Sequence, residues 1–433
     1  MAYSLQSTFE TRSDLHRATA RLSSRVRGSP NDASLRLSYA SLLYLAGCFD
    51  QARIEARRAI RAGGPGPEVY KLLGRLLYLE GKYFDAMDCF RTIGQSGIGP
   101  DDSRECLVEC LLRVNDYSGA AQIIEEYGLD HPQAQLIRKV AATPAFRLVG
   151  HGDTTTVPLS EIDPLPLIEI TINGERVHAF LDTGGPGFST NTEFAEEKGL
   201  PILSWQTGNY ASKKNAPVNA VQVDSLSIGE FTLRNVAGFA LQGIRPKFGQ
   251  YVCEACIGTG ILNQFLSTID YPNRRLILTR RGSSKGRKEH FSSLGRSRTR
   301  VPFWMAADHY LMAKGRLTRK KGLTFLVDSG LAAFGRPAGK GPVVQAAFMT
   351  WYAPLMEHGI VGPKTRVGFP YFYKIPSLGI GDLIQHDLCG FVKDRNARRL
   401  LLDGIMIDGI ISHAYLKNYT WTLDFDRHEF IFT

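Results

Sequence analysis

Ala179-Phe180-Leu181-Asp182-Thr183-Gly184 is the stretch that decides the fold, because Phe325-Leu326-Val327-Asp328-Ser329-Gly330 repeats it later in the chain. Each is an apolar run of strand type that ends in Asp, a small hydroxyl residue and Gly. The surroundings repeat in the same order. Leu167 to Gly174 precedes the first turn and Tyr310 to Gly315 the second. Downstream, Leu226 to Phe231, Gly238-Phe239-Ala240, Leu262, Thr268-Ile269-Asp270-Tyr271 and Arg275 to Leu278 answer to a second set. That set is Leu378 to Leu383, Gly390-Phe391-Val392, Leu416, Thr422-Leu423-Asp424-Phe425 and Glu429 to Phe432. Gly229 to Gly238 and Gly381 to Gly390 both span nine positions, and Leu262 to Asp270 and Leu416 to Asp424 both span eight. Landmarks shared in order and spacing mark an internal duplication. From Pro144 onward the texture is short alternating apolar runs broken by Gly, Pro and Asn, which predicts strands.

An apolar strand running into Asp-Thr/Ser-Gly resembles the catalytic turn of the retropepsin-like and pepsin-like aspartic proteases, over roughly residues 155 to 433. The resemblance implies a bilobal all-β fold with one catalytic Asp per lobe, here Asp182 and Asp328, so that one chain carries the whole pair. It also implies that the Thr183 and Ser329 hydroxyls bond across to the opposite turn, and that Gly184 and Gly330 leave room beside a bound water. Two carboxyls about 3 Å apart cannot both ionise and share one proton. The ionised member can activate water while the protonated member polarises a carbonyl.

The pattern departs from the family in places. Gly185-Pro186-Gly187 follows the first turn and Leu331 the second, where the family has Ala or Ser. Ala255-Cys256-Ile257-Gly258 and Gly409-Ile410-Ile411-Ser412 each keep one of two expected glycines. A flap hairpin is expected within Trp205 to Val221, around Gly208, Tyr210 and the polar Ser212 to Asn215, with Tyr210 as the candidate substrate-facing residue. The matching part of the second lobe, Phe348 to Tyr373, is rich in aromatics.

Ahead of the lobes the chain repeats with a period of 34: Ala40, Gly47, Phe49, Ala52 and Ala56 recur as Gly74, Gly81, Tyr83, Ala86 and Phe90. A weaker third copy has Asn115, Tyr117, Ala120 and Ile124. This resembles the tetratricopeptide repeat, in which paired helices approach closely at small residues. The resemblance implies a concave surface for a peptide or partner protein. Packing of the array against the rest of the chain is the alternative.

With 433 residues the chain is long enough for two or three domains. The expected layout is a helical or flexible lead over 1–30, helical repeats over 31–145, a first lobe over 155–280, a basic linker over 281–300 and a second lobe over 301–433. The net charge of +10 is partly local, since Arg280 to Arg300 holds eight Lys/Arg against Glu289 alone. Without interleaved stacking aromatics this run is read as a solvated linker and not as a nucleic-acid surface. Cys253-Glu254-Ala255-Cys256 has metal-ligand spacing but no second pair to complete four ligands, so no metal or cofactor is expected. Met1 to Gly28 has no apolar signal segment, no window has the length of a membrane span, and the seven cysteines follow no disulfide spacing. The expected setting is cytoplasmic and away from membranes.

These readings point to a bacterial-type aspartic endopeptidase that acts on a peptide or protein in the inter-lobe cleft, with the helical repeats recruiting substrate or a partner. Two alternatives stand beside it. One is an enzyme reusing the pair for cyclisation, dehydration or hydrolysis of a small or carrier-bound substrate. The other is a catalytically silent peptide-binding adaptor.

Overall fold

The computed structural model describes residues 9, 11–64, 66–95, 102–210, 213–295, 298–361, 368–393 and 400–433. Ser212 of the expected flap and Arg296 of the basic run lie outside the described residues. Three helix pairs come first: Ala33–Leu45 with Phe49–Arg61, Pro67–Leu79 with Tyr83–Gln95, and Asp102–Arg113 with Tyr117–Tyr127. The lead helix Arg12–Gly28 precedes them and Ala134–Ala141 follows. Each pair turns at Gly47, Gly81 or Asn115, with φ of 72°, 71° and 60°, a region open to Gly and tolerated by Asn. Ala40, Ala52, Ala56 and Ala86 are fully buried between the helices. The side chains of Asp32 and Asp116 cap the starts of two helices.

A β-rich, two-lobed region follows this all-α array. Each lobe opens on an antiparallel hairpin whose second strand delivers the Asp: Leu167–Ile172 with Glu175–Asp182, then Tyr310–Leu317 with Lys320–Val327. Along Leu167–Ile172 the side chains of Ile168, Ile170 and Ile172 are buried, as the period of two requires. A later strand lies parallel to each Asp-bearing strand, with Gly258 opposite Asp182 and Ile411 opposite Val327. Between them lie long hairpins, Lys213–Ile228 with Phe231–Leu241 and Tyr371–Ile380 with Leu383–Val392. Each lobe then has a one-turn helix, Thr259–Leu262 or His413–Leu416.

The closing hairpins of the two lobes pair with each other. Phe265–Asp270 runs antiparallel to Thr420–Asp424, with Thr268 directly opposite Thr422 and their hydroxyls 2.5 Å apart. These are equivalent positions of the duplicated sequence, and an element meets its own copy at the matched residue only across a two-fold axis. The pairing builds one sheet through both lobes, and a single apolar core runs from Val157 to Phe432.

Two features of the rest of the molecule differ from the simplest sequence reading. The basic stretch between the lobes is no bare solvated tether, because it holds the helix Ser284–Ser292. Arg287 pairs with the buried Asp424, Arg281 with Asp426 and Arg300 with Glu429. His290, on the same helix, lies between Thr268 Oγ1 and Thr279 Oγ1 at 2.7 and 2.8 Å. Three of these cations thus neutralise carboxylates of the second lobe, while Arg280 and Arg298 donate to backbone carbonyls.

The array, in turn, packs on the second lobe. Leu43, Tyr44 and Phe49 share a core with Met312, Leu326, Ile405 and Ile407, and the Phe49 ring lies 5.1 Å from that of Trp304. The carbonyl of Ala46, at the C-terminal end of the first repeat helix, accepts Arg12 Nη1 at 3.0 Å and Lys314 Nζ at 3.3 Å. Cations there complement the helix dipole. Asn115 of the third repeat donates to Gln264 of the first lobe at 2.9 Å, and Leu136 and Val140 pack on Ala220. No helix among the described residues is long and apolar enough to cross a membrane.

Candidate active site

The two Asp-bearing strands end side by side on the two-fold axis. Thr183 Oγ1 donates to Val327 O at 2.9 Å and accepts from the Ser329 N–H at 3.0 Å. Ser329 Oγ donates to Leu181 O at 3.0 Å and accepts from the Thr183 N–H at 3.0 Å. Both residues have 0% exposure. The four reciprocal bonds lock one turn directly to the other. The Gly184 and Gly330 amides each donate to Oδ1 of their own Asp at 2.8 Å.

The glycines sit where each carboxyl crosses to the other lobe. A Cβ on Gly184 would lie 2.5 Å from Asp328 Cγ, and one on Gly330 would lie 2.2 Å from Asp182 Cγ. Each carboxyl therefore rests against the opposite glycine, and the two Asp side chains hydrogen-bond to each other. Gly330→Ala should displace the Asp182 carboxyl by a large fraction of an ångström. The expected result is a loss of activity of about 10²-fold, measured as kcat of the folded variant, with wild-type turnover as the contrary outcome.

Burial pushes both carboxyls above the ordinary range. For Asp328 the charge of Asp182 and the hydrogen bond between them add to burial and hold it well above that range. Hydrogen bonds from the Gly184 and Gly185 amides act against burial at Asp182. Two carboxyls placed in this way repel each other when both are ionised, so the titration of one depends on the other.

Tyr210 lies in the hairpin Ile202–Tyr210 with Lys213–Ile228. Its hydroxyl donates to Pro217 O at 2.9 Å and to Gln242 O at 3.2 Å, so the phenol ties the hairpin to the following strand. Leu331 is accommodated by a small apolar cluster with Ala346, Cys389 and Phe391.

Sequence reasoning singled out Cys253 and Cys256 for their spacing, and both are buried free thiols on the strand Tyr251–Gly258. It did not anticipate that Cys256 sits close enough to Asp182 for burial, then that charge, to hold its thiol protonated. The signal was present in the register, since Cys256 is two positions before the glycine paired with Asp182. A cavity of about 300 Å³ lies where Arg113 and Tyr117 of the third repeat face Pro186, Gly187 and Asp308.

Residues 168–262 match the family profile described as aspartyl protease. No curated protein sequence matches the chain significantly. Among solved structures, the retropepsin-like aspartic protease from Rickettsia conorii is 19% identical, with a TM-score of 0.24 over 31% of this chain and 96% of its own. The aspartic proteinase from Irpex lacteus is 11% identical, with a TM-score of 0.40 over 65% of this chain and 97% of its own. YrrB, a TPR protein with an unusual peptide-binding site, is 16% identical, with a TM-score of 0.25 over 28% of this chain and 63% of its own. With an aspartyl-protease match over residues 168–262, a second lobe related to the first by a two-fold axis and a helical repeat array ahead of both, the chain resembles the retropepsin-like and pepsin-like aspartic proteases in their bilobal, single-chain form.

Proposed function

We propose that the chain is an aspartic-protease-like hydrolase in which Asp182 and Asp328 share one proton and activate water against a peptide bond. The observation that carries this reading is the reciprocal Thr183–Ser329 lattice, which holds two carboxyls together although their mutual repulsion opposes it. Such an arrangement is costly to keep as a mere turn and suits acid/base work. The ionised member takes a proton from water as the oxygen attacks the carbonyl carbon, and the protonated member hydrogen-bonds the carbonyl oxygen. Collapse of the tetrahedral intermediate then passes a proton to the leaving amine and restores the one-proton pair. Gly184 and Gly330 keep side chains out of the space the water needs.

Lobe two meets the array at its first two repeats and at Arg113 of the third, whose Nη2 donates to Ala307 O at 3.3 Å. Substrate or partner contacts of the array are proposed at the cavity beside Arg113 and Tyr117. A small or carrier-bound substrate is the second reading, favoured by Leu331 and Gly185-Pro186-Gly187 flanking the turns. The two separate in one experiment: turnover of a random peptide library by wild type, Asp182→Asn and Asp328→Asn. Cleavage that disappears in both variants supports proteolysis. Folded wild type that cleaves no peptide in the library would move the assignment to the second reading.

A further inference from the structure

The duplication supplies an internal control for what supports each Asp. Immediately before the apolar run that flanks each Asp-bearing strand stands an acidic residue, Glu254 before Ala255 to Gly258 and Asp408 before Gly409–Ile411. The backbones match: Thr190 Oγ1 donates to Glu254 O and Thr350 Oγ1 donates to Asp408 O, both at 2.7 Å. Each carboxylate also receives an arginine fork, but from different places.

In lobe one the fork is local. Arg245 Nε and Nη2 donate to Glu254 Oε1 at 2.9 and 2.6 Å, from a side chain that is 43% exposed. In lobe two it comes from the lead helix of the array. Arg12 Nε donates to Asp408 Oδ1 at 2.9 Å and Nη2 to Oδ2 at 2.5 Å, with side-chain exposures of 5% and 0%. The same guanidinium donates to Ala46 O and Met406 O, both at 3.0 Å. Glu357 of lobe two accepts the Arg12 and Ser13 amides at 3.2 and 3.1 Å. From Asp408 two links reach the catalytic turn. Its Oδ2 accepts the Thr324 N–H at 2.8 Å, on the strand that runs into Asp328, and the Asp328 N–H donates to Ile411 O at 2.9 Å.

We propose that Arg12 is a positioning residue for Asp328, and that the helical array completes the lobe-two half-site by supplying the cation that lobe one finds within itself. This rests on the reading of Asp182 and Asp328 as the working pair. Asp408 is fully buried and Arg12 nearly so, which makes loss of that fork costly, whereas Arg245 is 43% exposed and Glu254 also accepts from Asn191 Nδ2. Lysine keeps the charge but not the fork, so Arg12→Lys tests geometry while limiting the risk of unfolding.

In the full-length protein, Arg12→Lys should lower kcat by about 10- to 100-fold at unchanged KM, the scale of a sub-ångström to one-ångström misplacement. Arg245→Lys should stay within about threefold of wild type. Hydrogen–deuterium exchange should quicken in the strands Lys320–Val327 and Gly409–Ile411 for Arg12→Lys alone. Unchanged exchange there, or acceleration confined to the array, overturns the proposal whatever the activity. Equal effects of the two substitutions overturn it as well. Wild-type turnover in Asp182→Asn and Asp328→Asn would instead remove the dyad reading, and the exchange result would still decide the brace.

Discussion

Asp328→Asn should abolish turnover and at the same time raise the melting temperature at neutral pH. The loss follows from removing one member of an acid/base pair, a contribution of about 10²–10⁴-fold. The stabilisation follows from proton linkage. Burial, then the charge and hydrogen bond of Asp182, hold the Asp328 carboxyl well above its ordinary range in the folded chain. The folded state thus binds this proton more tightly than the unfolded state. Its contribution is fully present below the unfolded value of about 4 and is lost as pH rises toward the folded value. Asparagine keeps the shape and the bond from the Gly330 amide without any charge to bury. A gain of about 0.5–2 kcal/mol at pH 7.5 is expected, shrinking toward pH 4, and calorimetry at the two pH values checks it. A gain that is the same at both would remove the electrostatic explanation, and retained turnover would remove the catalytic one.

Thr183→Val is the second large effect, and it acts on the fold. Valine matches threonine in shape but cannot donate to Val327 O or accept from the Ser329 N–H. Both groups are then left unpaired in a place water does not reach, at about 1–3 kcal/mol each. A loss of about 2–5 kcal/mol in urea unfolding is expected, large for a substitution that opens no cavity. Ser329→Ala should behave alike, since its hydroxyl spans Leu181 O and the Thr183 N–H. Because the two hydroxyls belong to one network, the double variant should lose less than the sum, with a coupling of about 0.5–3 kcal/mol. Strict additivity would mean that the two lobes do not lock through these residues.

The paired Asp turns and the helical repeats are legible in the sequence because their code is local. The Asp-Thr/Ser-Gly turns, the small residues of the repeats and the Gly/Asn turns are each a few residues long and recur at fixed spacing. Tyr210 shows the limit. Its place in a hairpin follows from the sequence pattern, but the hydroxyl goes to Pro217 O and Gln242 O, acceptors that become near only when three strands pair. Leu331 is similar, an apparent obstacle beside the turn until Ala346, Cys389 and Phe391 form its pocket.

A helical array, a duplicated β-lobe and one Asp turn in each copy can be read from the residues alone, since periodicity and internal repetition survive without knowledge of packing. Which surface of the array docks on lobe two, and what stands behind each Asp, depends on long-range packing. The contrast is clearest in the two arginine forks. Arg245 and Glu254 are nine positions apart, within reach of a local pattern. Arg12 and Asp408 are 396 positions apart. No periodicity links them, and the pair exists because the array packs against lobe two and shuts water away from Asp408, which leaves the carboxylate dependent on a cation from the other end of the chain.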